Sequence, residues 1–220
     1  MRVLVIAPHP DDEILGVGGT IAKRSNAGDE VYVCVVTKGF PPLFDQEMIE
    51  QGRRECVQAD RMLGVRETYF LDLPAVMLET VPRYELNRKI AEVVQEVDPD
   101  EVYIPHRGDM QIDHQIVVDA AMVAVRPRGK RYPRRVYAYE TLSETGWNIP
   151  NTTNEFIPTV YEDISGTVDA KIGALSVFRS QLAQFPEARS VGAVEALARF
   201  RGATVGVSAA EAFCLIREIK

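Results

Sequence analysis

Cysteine is scarce in this chain of 220 residues: Cys34, Cys56 and Cys214 stand far apart, with no C-x-x-C pair among them. That fits buried thiols in a reducing compartment better than a disulfide framework or a cysteine-built zinc site. Long apolar runs are missing too. The N-terminal one is too short for a secretory signal, and none approaches the length needed to span a bilayer. Positive charge is in short supply, with a formal net charge of -7, which argues against a nucleic-acid surface because phosphate binding wants clustered Lys and Arg. The one basic stretch, residues 126–135, is interrupted by Pro127, Gly129 and Pro133 and reads as a solvated loop. There is no G-x-G-x-x-G dinucleotide fingerprint, no internal repeat and no linker. What these absences leave is a cytoplasmic globular protein, long enough for one α/β domain over residues 1–220 and short for two.

Apolar runs of strand length alternate with amphipathic segments. Strands are predicted over 3–6, 31–36, 68–71, 102–104, 136–139 and 160–164, and helices over about 14–27, 46–63, 84–97, 115–125, 170–180 and 191–203, before a final stretch at 209–219. The alternation is that of βαβ units, so the expected fold is α/β, with a Rossmann-like, mostly parallel sheet in the order 3-2-1-4-5 flanked by helices. Gly16, Gly18 and Gly19 are costly inside the first helix and are read as close packing against the sheet or as room for a ligand.

Two stretches carry chemistry. Pro8-His9-Pro10-Asp11-Asp12-Glu13 follows the first strand, and its two prolines hold His9 extended. Asp11 and Asp12 at a helix start have a bland reading, as a cap with favourable dipole charges. Beside a histidine they also make a metal corner in which one carboxylate ligates and the other acts as base. The partner is Gln111-Ile112-Asp113-His114, which opens a helix just after strand four. In a 3-2-1-4-5 sheet, strands one and four flank the topological switch point, where ligands bind beyond the carboxyl ends of the strands. Both stretches should therefore meet in one crevice.

These two stretches resemble the signature motifs of the LmbE-like, or PIG-L, family of zinc-dependent N-deacetylases. The likeness continues through Arg53-Arg54-Glu55, Leu63-Gly64-Val65, Ser180-Gln181, Arg201-Gly202, Gly206 and Ala210-Glu211-Ala212-Phe213. The resemblance implies the LmbE-like fold, with His9, Asp12 and His114 holding Zn2+ and leaving an open position for water. Asp11 is then the general base, Arg53 the cationic donor to the oxyanion with Arg54 as the fallback, and Asp113 an orienting partner for a neighbouring imidazole. The implied reaction removes acetyl from an N-acetylamino sugar in a small conjugate, a nucleotide-linked sugar or a lipid-linked precursor. A homo-oligomer is also compatible with the resemblance.

One position departs from the family's His-x-Asp-His pattern, because Gln111 stands where the first histidine would be. Glutamine donates hydrogen bonds but cannot deliver a proton near neutral pH. Protonation of the leaving amine would fall to Asp11 or to His106, and His106 is equally a strand-end residue satisfied by backbone. Other open readings are Arg53, Arg54 and Glu55 as ordinary surface ion pairs, and a polar loop over 145–158 roofing the cleft. Trp147 in that loop either stacks on substrate or pins the loop. Against the deacetylase stand an aspartate-nucleophile phosphatase, which wants D-x-D and magnesium, and a non-catalytic sugar- or metal-binding protein marked by Gln111.

Overall fold

The structure, a computed structural model, describes residues 1–129 and 131–220. In chain order its elements are β1 (Arg2–Ala7), α1 (Asp12–Asn26), β2 (Glu30–Lys38), α2 (Gln46–Met62), β3 (Glu67–Pro74), α3 (Arg83–Val97), β4 (Glu101–Pro105), α4 (Ile112–Ala124), β5 (Arg135–Tyr139), β6 (Val160–Asp163), α5 (Val168–Leu175), α6 (Val191–Val205) and β7 (Ala210–Glu218). The strands form one sheet in the order β3-β2-β1-β4-β5-β7-β6. The first five are parallel and run in the expected 3-2-1-4-5 order. The difference lies at one edge, where β7 inserts between β5 and β6 and runs antiparallel to both.

β1 shows why this sheet needs helices on both faces. Its side chains alternate between two cores, Val3 and Val5 packing under α1 and α2 while Leu4 and Ile6 pack under α3 and α4. Tight contact explains two of the glycines in α1. A Cβ at Gly16 would lie 2.2 Å from the Tyr139 ring of β5, and one at Gly19 would lie 2.6 Å from Ile164. They serve packing. The ladder of α1 is then filled by side chains from the C-terminal third. Glu211 accepts from Gly19 N and Thr20 N, Lys171 pairs with Glu211 and donates to Leu15 O, and Thr167 Oγ1 donates to Gly19 O.

Three other expectations change. Glu55 is buried and accepts from Ser180 Oγ and from Gln51, so it ties α2 to the turn after α5. The helix expected over 170–180 stops at Leu175, because the turn that follows drives Phe178 into the core. Cys34 and Cys56 are buried as expected, but Cys214 is half-exposed. Among the described residues no helix is long and apolar enough to cross a membrane. Of the basic stretch, Lys130 lies outside the described residues, and Arg131 pairs with Asp98.

Candidate functional site

β1 and β4 are hydrogen-bonded neighbours running the same way, so the loops leaving Ala7 and Pro105 emerge at the same end of the sheet. The first delivers His9, Asp11 and Asp12, and the second delivers Asp109, Gln111, Asp113 and His114. Asp12 sits between two imidazoles, its Oδ2 3.3 Å from His9 Nδ1 and 3.3 Å from His114 Nε2. The rings are 5.3 Å apart between centroids, and one ligand atom from each of the three residues falls within 4.8 Å of the others.

Each imidazole is oriented from behind by a carboxylate. Asp113 Oδ2 lies 3.1 Å from His9 Nε2 and also accepts from Val76 N at 2.6 Å. Asp109 Oδ2 lies 2.8 Å from His114 Nδ1, and its Oδ1 accepts from Thr145 Oγ1 at 2.6 Å. Both rings therefore turn their remaining nitrogen toward Asp12. Burial works against protonated imidazoles here, yet Asp12 and Asp109 outweigh it and push His114 up to about 10, while Asp113 and Asp12 raise His9. Burial alone would raise Asp12, but His114 and His9 hold it well below the usual carboxylate range.

A divalent ion suits this corner on the observed atoms. His114 Nε2, Asp12 Oδ1 and Asp11 Oδ1 are buried with no hydrogen-bond partner among the described residues, and such groups are costly unless a ligand satisfies them. Nitrogen and oxygen ligands about 2.0–2.2 Å from a tetrahedral ion stand roughly 3.3–3.6 Å apart. The two 3.3 Å separations agree with that edge length. Two imidazoles and a carboxylate, each imidazole backed by another carboxylate, form a donor set of the kind that holds zinc.

Asp11 does not cap α1. It lies at the N-cap position with φ 113°, ψ -28° and makes no side-chain cap bond. A non-glycine residue there is strained, and such strain gathers at functional sites. Its amide donates to Glu13 Oε2 at 3.1 Å, which fixes the turn and leaves the carboxyl group at the pocket wall beside His9. Burial and the neighbouring Asp12 push Asp11 up to about 7. Glu13 belongs to a second buried group: Cys56 Sγ lies 3.6 Å from Glu13 Oε1 and 3.8 Å from Asp60 Oδ2, which also accepts from Thr68 Oγ1. Burial drives Asp60 up to about 7 and Glu13 well above its ordinary value.

The pocket in front of Asp11 runs outward between α2 and the end of β3, with Phe44, Ile49 and Phe70 on its apolar side. Gln111 lines it and makes no side-chain cap bond to α4. Arg53 also lines it, but as a committed group: Nη1 donates to Asp72 Oδ1 at 2.7 Å and the guanidinium covers the Phe70 ring at 4.0 Å. Arg54 points to solvent beside Glu50.

His106 and Trp147 join neither the His9, Asp12 and His114 cluster nor the pocket. His106 Nε2 pairs with Asn154 O at 3.1 Å and its ring meets Phe156 edge-on, so it anchors the following loop. That loop does not roof the pocket. Thr145 and Asn148 fasten it to the Asp109 segment, while Trp147 is 61% exposed beside Gln184 and Pro186, in a separate surface depression.

Sequence reasoning missed Asp109, Thr145, Gln181 and Arg189. Asp109 and Thr145 act through others, and nothing in their spacing announces it. Gln181 and Arg189 come from the hairpin between α5 and α6, which the Glu55–Ser180 tie holds against α2; the Ser180-Gln181 pair was the available signal.

Comparison with known proteins agrees with this geometry. Residues 4–125 match the family model described as PIG-L: GlcNAc-PI de-N-acetylase. The chain is 28% identical to the probable N-acetyl-alpha-D-glucosaminyl L-malate deacetylase 2 of Bacillus anthracis, over 83% of this chain and 82% of that protein. Among solved structures, a conserved protein of Thermus thermophilus superimposes with a TM-score of 0.80 at 29% identity, covering 99% of this chain and 96% of that one. The N,N'-diacetylchitobiose deacetylase of Pyrococcus horikoshii, solved with its inhibitor, gives a TM-score of 0.77 at 25% identity, covering 98% and 83%.

Proposed function

This chain belongs to the PIG-L, or LmbE-like, family, and on that premise we propose that it is a metal-dependent hydrolase, working as one unit over residues 1–220. Its proposed reaction takes the acetyl group from an N-acetylglucosamine-type amino sugar in a small conjugate. One observation carries the reading. Loops about a hundred residues apart in sequence set His9, Asp12 and His114 around one point, with each imidazole braced by a carboxylate and His114 Nε2 facing Asp12 without a hydrogen-bond partner among the described residues.

His9, Asp12 and His114 would hold a zinc ion. A divalent ion there supplies Lewis acidity, polarising the amide carbonyl and bringing the pKa of a water toward about 7. Asp11, strained into place and facing the pocket, takes the proton as water attacks. The same carboxyl group returns that proton to the departing amine, because Gln111 has none to give and His106 is engaged with Asn154 O. Gln111 donates to the oxygen of the tetrahedral carbon. Arg53, fixed by Asp72 and Phe70, forms a rigid pocket edge that positions sugar hydroxyls. The apolar side at Phe44 and Phe70 accommodates a sugar face or its aglycone.

A panel of N-acetylated amino sugars and conjugates, assayed for free amine and acetate, tests the assignment. The wild type should release both in equal amounts, and Asp11→Ala should release neither while retaining its metal. Turnover preserved in the Asp11 variant removes Asp11 as the base. Phosphate release with magnesium, and no acetate, would replace the whole reading with a phosphatase.

A further inference from the structure

Two arginines reach the pocket, and they are held in opposite ways. Arg53 is 41% exposed, bonded to Asp72 at 2.7 Å and stacked on Phe70. Arg189 is more sheltered and far less committed. Its Nε lies 3.8 Å from Asp11 Oδ2 and 3.3 Å from Ser143 Oγ, and its Nη2 lies 3.9 Å from Glu144 Oε1. Only the Ser143 contact is a hydrogen bond among the described residues, so both terminal nitrogens keep their N–H groups for a ligand.

The backbone that presents Arg189 is fixed. Arg189 O accepts from Ala183 N at 3.3 Å, Arg189 N donates to Glu187 Oε2 at 3.2 Å, and Ser190 next door caps α6 through Ala193 N. A guanidinium on a rigid hairpin, close to two carboxylates yet mostly unbonded, is a poor strut. It is a preorganised donor.

On the deacetylase reading above, we propose that Arg189 is a catalytic residue, its guanidinium donating to the amide oxygen as the carbonyl carbon becomes tetrahedral, the role expected of Arg53. The electron count fixes where that charge develops. Water adds to the carbonyl carbon and gives its proton to Asp11, and the C=O π pair moves onto oxygen. That pair then reforms the double bond as the C–N bond breaks, and nitrogen takes the proton from Asp11. Acetate and a free amine result. The carbon attacked lies within reach of the group that deprotonates the water, and Arg189 is the cation lining the pocket whose nitrogen lies 3.8 Å from that group.

The test compares wild type, Arg189→Ala, Arg189→Met and Arg53→Ala for kcat, KM, metal content, melting temperature and affinity for a glucosamine analogue in which methylphosphonyl replaces acetyl. In both Arg189 variants kcat should fall about 10²- to 10³-fold, and the tetrahedral analogue should bind correspondingly more weakly. KM should move only a few-fold, with metal content and melting temperature unchanged. Millimolar guanidinium should restore part of the kcat of Arg189→Ala and nothing in wild type. Arg53→Ala should instead raise KM. Unchanged kcat and analogue affinity in the Arg189 variants overturn the proposal, as does equal weakening of substrate and analogue. If wild type releases no acetate from any substrate, the deacetylase reading fails by itself. Analogue affinity then still decides Arg189, and affinity equal in wild type and variants, or absent from both, overturns its assignment.

Discussion

At the scale of single residues, the site is a balance of charge. Asp12, Asp109 and Asp113 surround two imidazoles, and against the opposing effect of burial these carboxylates favour the protonated form of each. A bound cation takes over the charge those protons carry, so metal binding must release protons and weaken as pH falls. Titration of zinc into metal-free protein in buffers of different ionisation enthalpy should show that release, and buffer-independent heats would contradict it. Asp109→Asn should loosen His114 without removing a ligand, lowering metal affinity about 10- to 100-fold, as read by competition with a chromogenic chelator. The candidate ligands His9, Asp12 and His114 stood out because prolines, adjacent aspartates and a second His/Asp stretch mark them in the sequence, and the structure gathers the three together. Asp109 and Arg189 did not stand out, because their partners are set by tertiary contact.

At the scale of elements, α1 is held near its start and at its middle by groups buried with it. Near its start, Glu13, Cys56 and Asp60 pack together away from solvent. Asp60 is raised to about 7 by burial, against about 3.9 in an unfolded chain. Between those values the folded protein keeps a proton that the unfolded chain gives up. This contribution to stability is full below about pH 4 and lost as pH rises through 7. Asp60→Asn should therefore melt with a shallower fall in melting temperature between pH 5 and pH 8 than wild type, and parallel curves would contradict this. Further along α1, Glu211→Ala would leave Lys171 buried without its counter-charge and two amides without an acceptor. The expected cost is about 3–5 kcal/mol, visible in urea unfolding as a lower midpoint at constant m, and a loss below about 1 kcal/mol would show that the helix re-forms its own ladder. The periodicity of α1 was plain in the sequence, and so was the oddity of its glycines. That Gly16 meets Tyr139, while Glu211 fills the ladder beside Gly19, needed the sheet order.

At the scale of the whole molecule, apolar runs alternating with amphipathic segments marked the parallel strands, because strands buried on both faces are apolar throughout, and the order of the five followed from the doubly wound arrangement that βαβ units adopt. Neither carried the antiparallel edge. β7 carries exposed Leu215 and Ile216 and is shaped by pairing with β5 and β6, which is non-local information. The place of the polar loop over 145–158 was open for a similar reason. Its polar side chains bond the β4 loop beneath it, and the pocket opens elsewhere, toward α2. The C-terminal third thus braces a centre built by the N-terminal two thirds, with the addition of Arg189.

The most direct test is metal stoichiometry with matched turnover. Wild-type protein, stripped with chelator and reloaded, should bind one zinc per chain and regain acetate release in proportion to zinc bound, while His114→Ala stays folded and does neither. A wild type that binds no ion at this corner, or releases acetate equally well when stripped, would contradict the account.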